Sequence, residues 1–110
     1  MILLTKQIKE QLIGNYKYNA GEDCSPVVKL FGGSSCTWLL TELDPETNVA
    51  FGLCDLGMGS PELGYVSMDE LESIKFPPFG LGVERDRHFE AVKSINNYAQ
   101  ESRHLGYIQA

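Results

Sequence analysis

Between Leu30 and Ile74 the 110-residue chain has no Lys or Arg, while the same segment carries eight acids: Glu42, Asp44, Glu46, Asp55, Glu62, Asp69, Glu70 and Glu72. With nine basic and fifteen acidic residues overall, the formal charge is -6. The segment is therefore net -8 and the remainder +2. A general nucleic-acid binder needs clustered Lys and Arg against phosphates, and a membrane-surface protein needs a polybasic face. Neither class fits, so direct nucleic-acid binding and membrane association are not expected.

Long apolar runs are missing too. Nothing approaches the roughly 18 consecutive apolar residues of a spanning helix. The opening Met1-Ile2-Leu3-Leu4 is followed at once by Thr5 and Lys6. It lacks the basic flank, long apolar stretch and cleavage site of a signal peptide. It reads as a short buried lead-in to a helix, and a cytoplasmic location is expected. Cysteine is sparse and odd in number: Cys24, Cys36 and Cys54 contain no C-x-x-C pair. A secreted disulfide framework usually has an even, denser set, so reduced structural thiols are expected. Zinc ligands usually arrive in close pairs, and none is present among these cysteines, Asp55, His88 and His104. No metal and no cofactor are predicted.

What is present suffices for a core. Leu, Ile, Val and Phe total 30 of 110 residues, above the roughly 20% below which chains tend to disorder. The length suits one domain. Thr5 can cap a helix to about Ile13, with Gly14-Asn15 as its stop and a loop to Pro26. Val27 to Phe31, Thr37 to Leu43 and Val49 to Cys54 read as strands, joined by Gly32–Ser35 and Asp44–Asn48. Such short connections demand an antiparallel meander. In the third strand Val49, Phe51 and Leu53 alternate with the small Ala50, Gly52 and Cys54, which predicts one filled face and one of close approach. Leu63 to Val66 adds a short strand. Ser67-Met68-Asp69-Glu70 has capping-box spacing, opening a helix to Ile74 that Phe76-Pro77-Pro78-Phe79 ends. The two phenylalanines would pin that loop to the core. Leu81 to Asp86 reads as a last strand, and Ser94 to Arg103 as a helix presenting Ile95, Tyr98 and Ala99. The expected fold is a single α+β domain, an antiparallel sheet of four or five strands with two or three flanking helices.

Chemistry-bearing patterns are few. Gly57-x-Gly59 is followed by Pro61 and a strand rather than a helix N-terminus, so it reads as a turn and not as a phosphate loop. Trp38 reads as a core anchor. Glu84-Arg85-Asp86-Arg87-His88 is the densest charge run; on a strand, Glu84, Asp86 and His88 would share one face. It is the alternative polar site, suited to acid–base work or anion binding, with a solvated strand end as the plainer reading. No catalytic residue is assigned. Asp69 and Glu70 belong to a helix start, where acids meet the positive end of the dipole. Six acids remain, and Glu42, Asp44, Glu46 and Glu62 are the candidate partner-binding residues. Converging, they would steer a basic protein.

The ordered pieces also carry a resemblance. They are Leu3-Leu4-Thr5-Lys6, Val28-Lys29-Leu30-Phe31, Thr37-Trp38, Thr41-Glu42-Leu43-Asp44, Phe51-Gly52-Leu53, Glu62-Leu63-Gly64-Tyr65, Ser67 to Ser73 and Glu84-Arg85-Asp86. Over roughly residues 1 to 90 the chain resembles a bacterial family of domains of unknown function, common on conjugative plasmids and other mobile elements. The resemblance implies a mobile-element context and a bacterial cytoplasm, but no chemistry. The leading expectation is a non-enzymatic interaction protein of such an element, acting on a host defence nuclease or another basic nucleic-acid-binding protein. The alternatives are a small enzyme or ligand-binding domain centred on Glu84, Arg85, Asp86 and His88, and an immunity protein against a basic nuclease toxin. The sequence leaves the oligomeric state open.

Overall fold

Five antiparallel strands form one open sheet, with helices on both of its faces, in a computed structural model that describes residues 2–110. Strands β1 (Val28–Gly32), β2 (Cys36–Asp44), β3 (Val49–Asp55) and β4 (Glu62–Ser67) make a continuous meander. Strand β5 (Glu84–Arg85) returns beside β1, giving the order β4-β3-β2-β1-β5. This is the expected α+β architecture at the upper strand and helix counts, with α1 (Lys6–Tyr18), α2 (Met68–Ser73) and α3 (Ile95–Leu105).

The first face of the sheet holds the larger core. Val28, Leu30, Trp38, Leu40, Leu43 and Ala50 pack there against Leu12 of α1 and Met68 and Leu71 of α2. Trp38 is the buried anchor its composition implied. The second face is covered by α3, where Leu39 and Leu53 meet Ile95, Tyr98, Ala99 and Ile108. Burying each such leucine is worth about 1.5–3 kcal/mol, which is what fixes α3 to the sheet.

Helix α1 does not stop at Gly14. It continues to Tyr18 and is capped by Asn19, whose backbone N–H bonds to the Asn15 carbonyl. The tertiary contact outweighs the glycine, which costs a helix interior only about 1 kcal/mol. Strand β1 reaches no further than Leu40 in its pairing with β2, so the rest of β2 has an open edge. The C-terminal half of α1 lies along that edge, and the Asn15 side-chain amide donates to the Thr41 carbonyl at 3.0 Å. The apolar lead-in is narrower than expected: Leu3 is buried and Leu4 half-buried, but Ile2 is exposed. Met1 lies outside the described residues.

Around Phe76 the expectation was too regular. Only Glu84 and Arg85 pair as a strand; Leu81 instead makes an isolated bridge to Phe76. The Phe76 ring lies over Gly32 and Gly33, where any side chain would collide with it, while Phe79 is exposed. One phenylalanine, not two, pins the loop. Helix α2 starts as its sequence requires, with the Ser67 hydroxyl accepting from the Glu70 N–H.

One irregularity in the sheet decides what its second face presents. Along β2 and β3, Leu40 pairs with Gly52 but Glu42 pairs with Phe51, so Thr41 is an extra residue, a β-bulge. Side chains alternate along a strand, and one inserted residue exchanges the faces beyond it. Leu40 and Leu43 can therefore both enter the first core although they are three apart, and Glu42 and Asp44 turn to the second face. Gly52 makes this possible, because a Cβ there would lie 1.9 Å from the Leu39 carbonyl oxygen. The close approach anticipated for the small face of β3 is that of the neighbouring strand's own backbone.

Candidate functional site

Helix α3 covers only the Leu39–Leu53–Leu63 end of the second face. At the other end the bulge delivers Glu42 and Asp44, opposite Phe51 and Val49 of β3, with Tyr65 of β4 paired to Phe51. The α1 C-terminus, carried past the end of β1, brings Tyr16 to the same place. Tyr16, Glu42, Asp44, Thr47, Val49, Phe51 and Tyr65 together line a groove of about 330 Å³. The Phe51 and Tyr65 ring centroids are 5.1 Å apart and tilted by 59°. Tyr65 is 78% exposed.

The carboxylates are held in place. Glu42 is 8% exposed, and one of its oxygens accepts the Gly21 N–H at 3.2 Å. Asp44 Oδ2 accepts the Tyr16 hydroxyl at 3.1 Å, and its Oδ1 accepts the Glu46 N–H at 2.9 Å. The Glu46 amide, followed by bonds from Thr47 and Tyr16, holds the Asp44 carboxyl below the usual aspartate range. The same Asp44 bond, with the charges of Asp44, Glu46 and Glu42, pushes the Tyr16 phenol up. Among the described residues, ion pairs join Lys29 to Asp86 and Lys93 to Glu101, and neither Glu42 nor Asp44 takes part in one. The groove thus brings two carboxylate residues, Glu42 and Asp44, together with Tyr16, Phe51 and Tyr65.

The four candidate acids do not converge. Glu42 and Asp44 share the groove, and Glu46 is exposed in the adjoining turn. Glu62 is opposite Cys54, on the first face and at the far end of β4. At about 3.3 Å per residue it lies some 10 Å along the strand from Tyr65. The remaining acids also separate. Asp55 is buried and structural: Oδ1 accepts the Gly57 N–H and Oδ2 the Ile108 N–H, tying the tail after α3 to the end of β3. Asp69 accepts from the Asn48 side chain, and Glu72 is exposed on α2. The bond from Gly57 also explains the Gly57–Gly59 turn without an anion.

The Glu84–His88 run is largely committed to structure. The Arg85 guanidinium donates to the carbonyls of Ile2 and Leu3, fastening the N-terminal segment to β5. Asp86 pairs with Lys29 at 3.7 Å, and its Oδ1 accepts the His88 N–H at 2.9 Å, closing a turn. Regular alternation ends at Arg85, so the expected shared face of Glu84, Asp86 and His88 is interrupted by that turn. Glu84, Arg87 and His88 are exposed.

The thiols are poor nucleophiles. Burial pushes the Cys54 thiol up to about 11, and burial first, then nearby acids, raises Cys24 and Cys36. Thiolate, the reactive form, is scarce at neutral pH under those conditions. Among the described residues no three His, Cys, Asp or Glu side chains gather as a metal site, and no helix is long and apolar enough to cross a membrane.

Tyr16, Phe51 and Tyr65 are not among the candidate site residues that the sequence suggests. A helix stop at Gly14-Asn15 leaves Tyr16 in a loop, whereas α1 runs to Tyr18. The signal for the bulge was available: Leu40 and Leu43 stand three apart in a strand otherwise built on a spacing of two.

The chain matches, over residues 3–109, the family described as "Protein of unknown function (DUF2958)". The match runs through the segment after residue 90, beyond the reach of the motifs quoted from the sequence. No curated protein and no solved structure matches the chain.

Proposed function

The chain belongs to the DUF2958 family, and we propose that it is a non-enzymatic interaction protein of a bacterial mobile element. Its partner on this reading is a basic, nucleic-acid-binding host protein such as a defence nuclease, met in the cytoplasm. The carrying observation is the uncovered end of the sheet's second face, where Glu42 and Asp44 line a groove and Glu46 stands at its rim. All of its lining residues but Tyr16 come from the 45-residue stretch that has no Lys or Arg. Complementary charge of this kind steers encounter and selects partners more than it adds raw affinity. Glu62 lies outside this surface and is not part of the proposed interface.

The test is capture of host complexes by the purified protein, repeated with Asp44→Lys and Glu46→Lys. Retention of basic nucleic-acid-binding proteins that falls on charge reversal and at raised salt is expected. Undetectable binding, or binding indifferent to both substitutions, would sink the proposal. An immunity protein against a basic nuclease toxin would use the same surface, and a toxin gene beside this one distinguishes it. The Glu84–His88 run is the weaker site, since Arg85 and Asp86 already serve the fold.

A further inference from the structure

We propose that the groove between Tyr16, Phe51 and Tyr65 receives a single arginine side chain presented by the protein partner. This rests on the docking reading above and makes it specific. Three observations converge. First, Glu42 is 8% exposed, lines the groove and has one hydrogen bond, from the Gly21 N–H. A carboxylate has about four acceptor sites, so most of its capacity is unspent. Among the described residues it has no cation, although buried carboxylates are almost always paired. Second, Phe51 and the exposed Tyr65 line the same groove, and an aromatic ring is a surface on which a guanidinium stacks. Third, about 330 Å³ is at the floor of the roughly 300–1,000 Å³ typical of small-molecule sites, so it suits one side chain. Arginine is favoured over lysine because its planar fork can bond carboxylates while lying flat on a ring, which an ammonium cannot do.

The probe is the capped tripeptide acetyl-Gly-Arg-Gly-amide, titrated into the isotopically labelled protein and followed by amide resonances. Saturable shifts at Gly21, Phe51 and Tyr65 are expected. The citrulline peptide, isosteric but neutral, should bind at least about ten-fold more weakly, as should the lysine peptide to a smaller degree. Tyr65→Ala should weaken arginine binding several-fold, and its 78% exposure means that the fold survives. Glu42→Gln should weaken it further while its side-chain carbonyl can still accept from Gly21. No saturable shift, or equal shifts with the citrulline or lysine peptide, would overturn the arginine assignment. If the peptide is silent while capture of a basic partner is still lost in Glu46→Lys, the groove proposal falls and the docking reading stands. If capture also fails, both fall.

Discussion

The glycine pair between β3 and the edge strand β4 offers a test of the bulge on which the groove depends. Gly52 of β3 and Gly64 of β4 are direct cross-strand partners. A Cβ on Gly52 would lie 1.9 Å from the Leu39 carbonyl oxygen and 2.8 Å from Leu40 Cα, both backbone atoms. A Cβ on Gly64 would meet nothing within 4 Å. Relieving the first contact to an ordinary C···O distance of about 3.3 Å means moving β2 by roughly 1.4 Å. Strands are held about 4.8 Å apart, so the shift breaks ladder bonds rather than stretching them. Two or three bonds at about 1 kcal/mol each, added to overpacking of ~1–3 kcal/mol, give a loss of about 3 kcal/mol or more for Gly52→Ala. That is a large part of the ~5–15 kcal/mol available to a domain, and corresponds to a fall in melting temperature of about 12 °C or more. Gly64→Ala should be neutral or stabilising by up to about 1 kcal/mol, because alanine restricts the unfolded chain. Urea unfolding followed by circular dichroism and Trp38 fluorescence measures both. Should Gly52→Ala unfold within about 0.5 kcal/mol of the parent, the close approach and the bulge argument would be refuted. If the variant folds by straightening β2, Glu42 leaves its position and the Gly21 amide resonance moves, which reports the same coupling.

Asp55→Ala should cost about 2–4 kcal/mol in urea unfolding, since it leaves the Gly57 and Ile108 amides without their acceptor; a change below about 0.5 kcal/mol would remove its structural role. The Asp44 carboxyl should titrate below an ordinary aspartate in a carbon-detected pH series. Its folded-state value is lowered, so its stabilising contribution is present above the unfolded value and fades as pH falls through the folded one. Most of the displacement should persist in Tyr16→Phe, because the Glu46 amide is the leading cause; a complete return to the ordinary value would contradict this. Cys54 should react far more slowly than an unfolded thiol with an alkylating probe at about pH 8, given a value near 11. Rapid labelling of Cys54 in the folded protein would show that the strand end opens.

The elements that local chemistry dictates were legible without coordinates. Ser67 with Glu70 three residues on specified the start of α2, because a hydroxyl at that spacing satisfies a free helix amide. The short loops at Gly33–Ser35 and Pro45–Asn48 left the meander as the only pairing. Ile95, Tyr98 and Ala99 were recognisable as one helix face, and they are the face that is buried. The charge deficit between Leu30 and Ile74 was likewise a property of the sequence alone.

Which acids act together was decided only by the tertiary structure. Charge along a chain has no direction until the backbone assigns each residue to a face, and one extra residue at Thr41 reversed that assignment for Glu42 and Asp44. The same list of carboxylates then divided by environment: Asp55 to the tail of α3, Glu62 to the opposite face, Glu42 and Asp44 to a groove. Tyr16 joined them because α1 ran on past Gly14 along an edge of β2 that β1 was too short to cover. Propensity is local and weighs about 1 kcal/mol, whereas docking along a strand edge is a non-local contact that a sequence read in order does not contain.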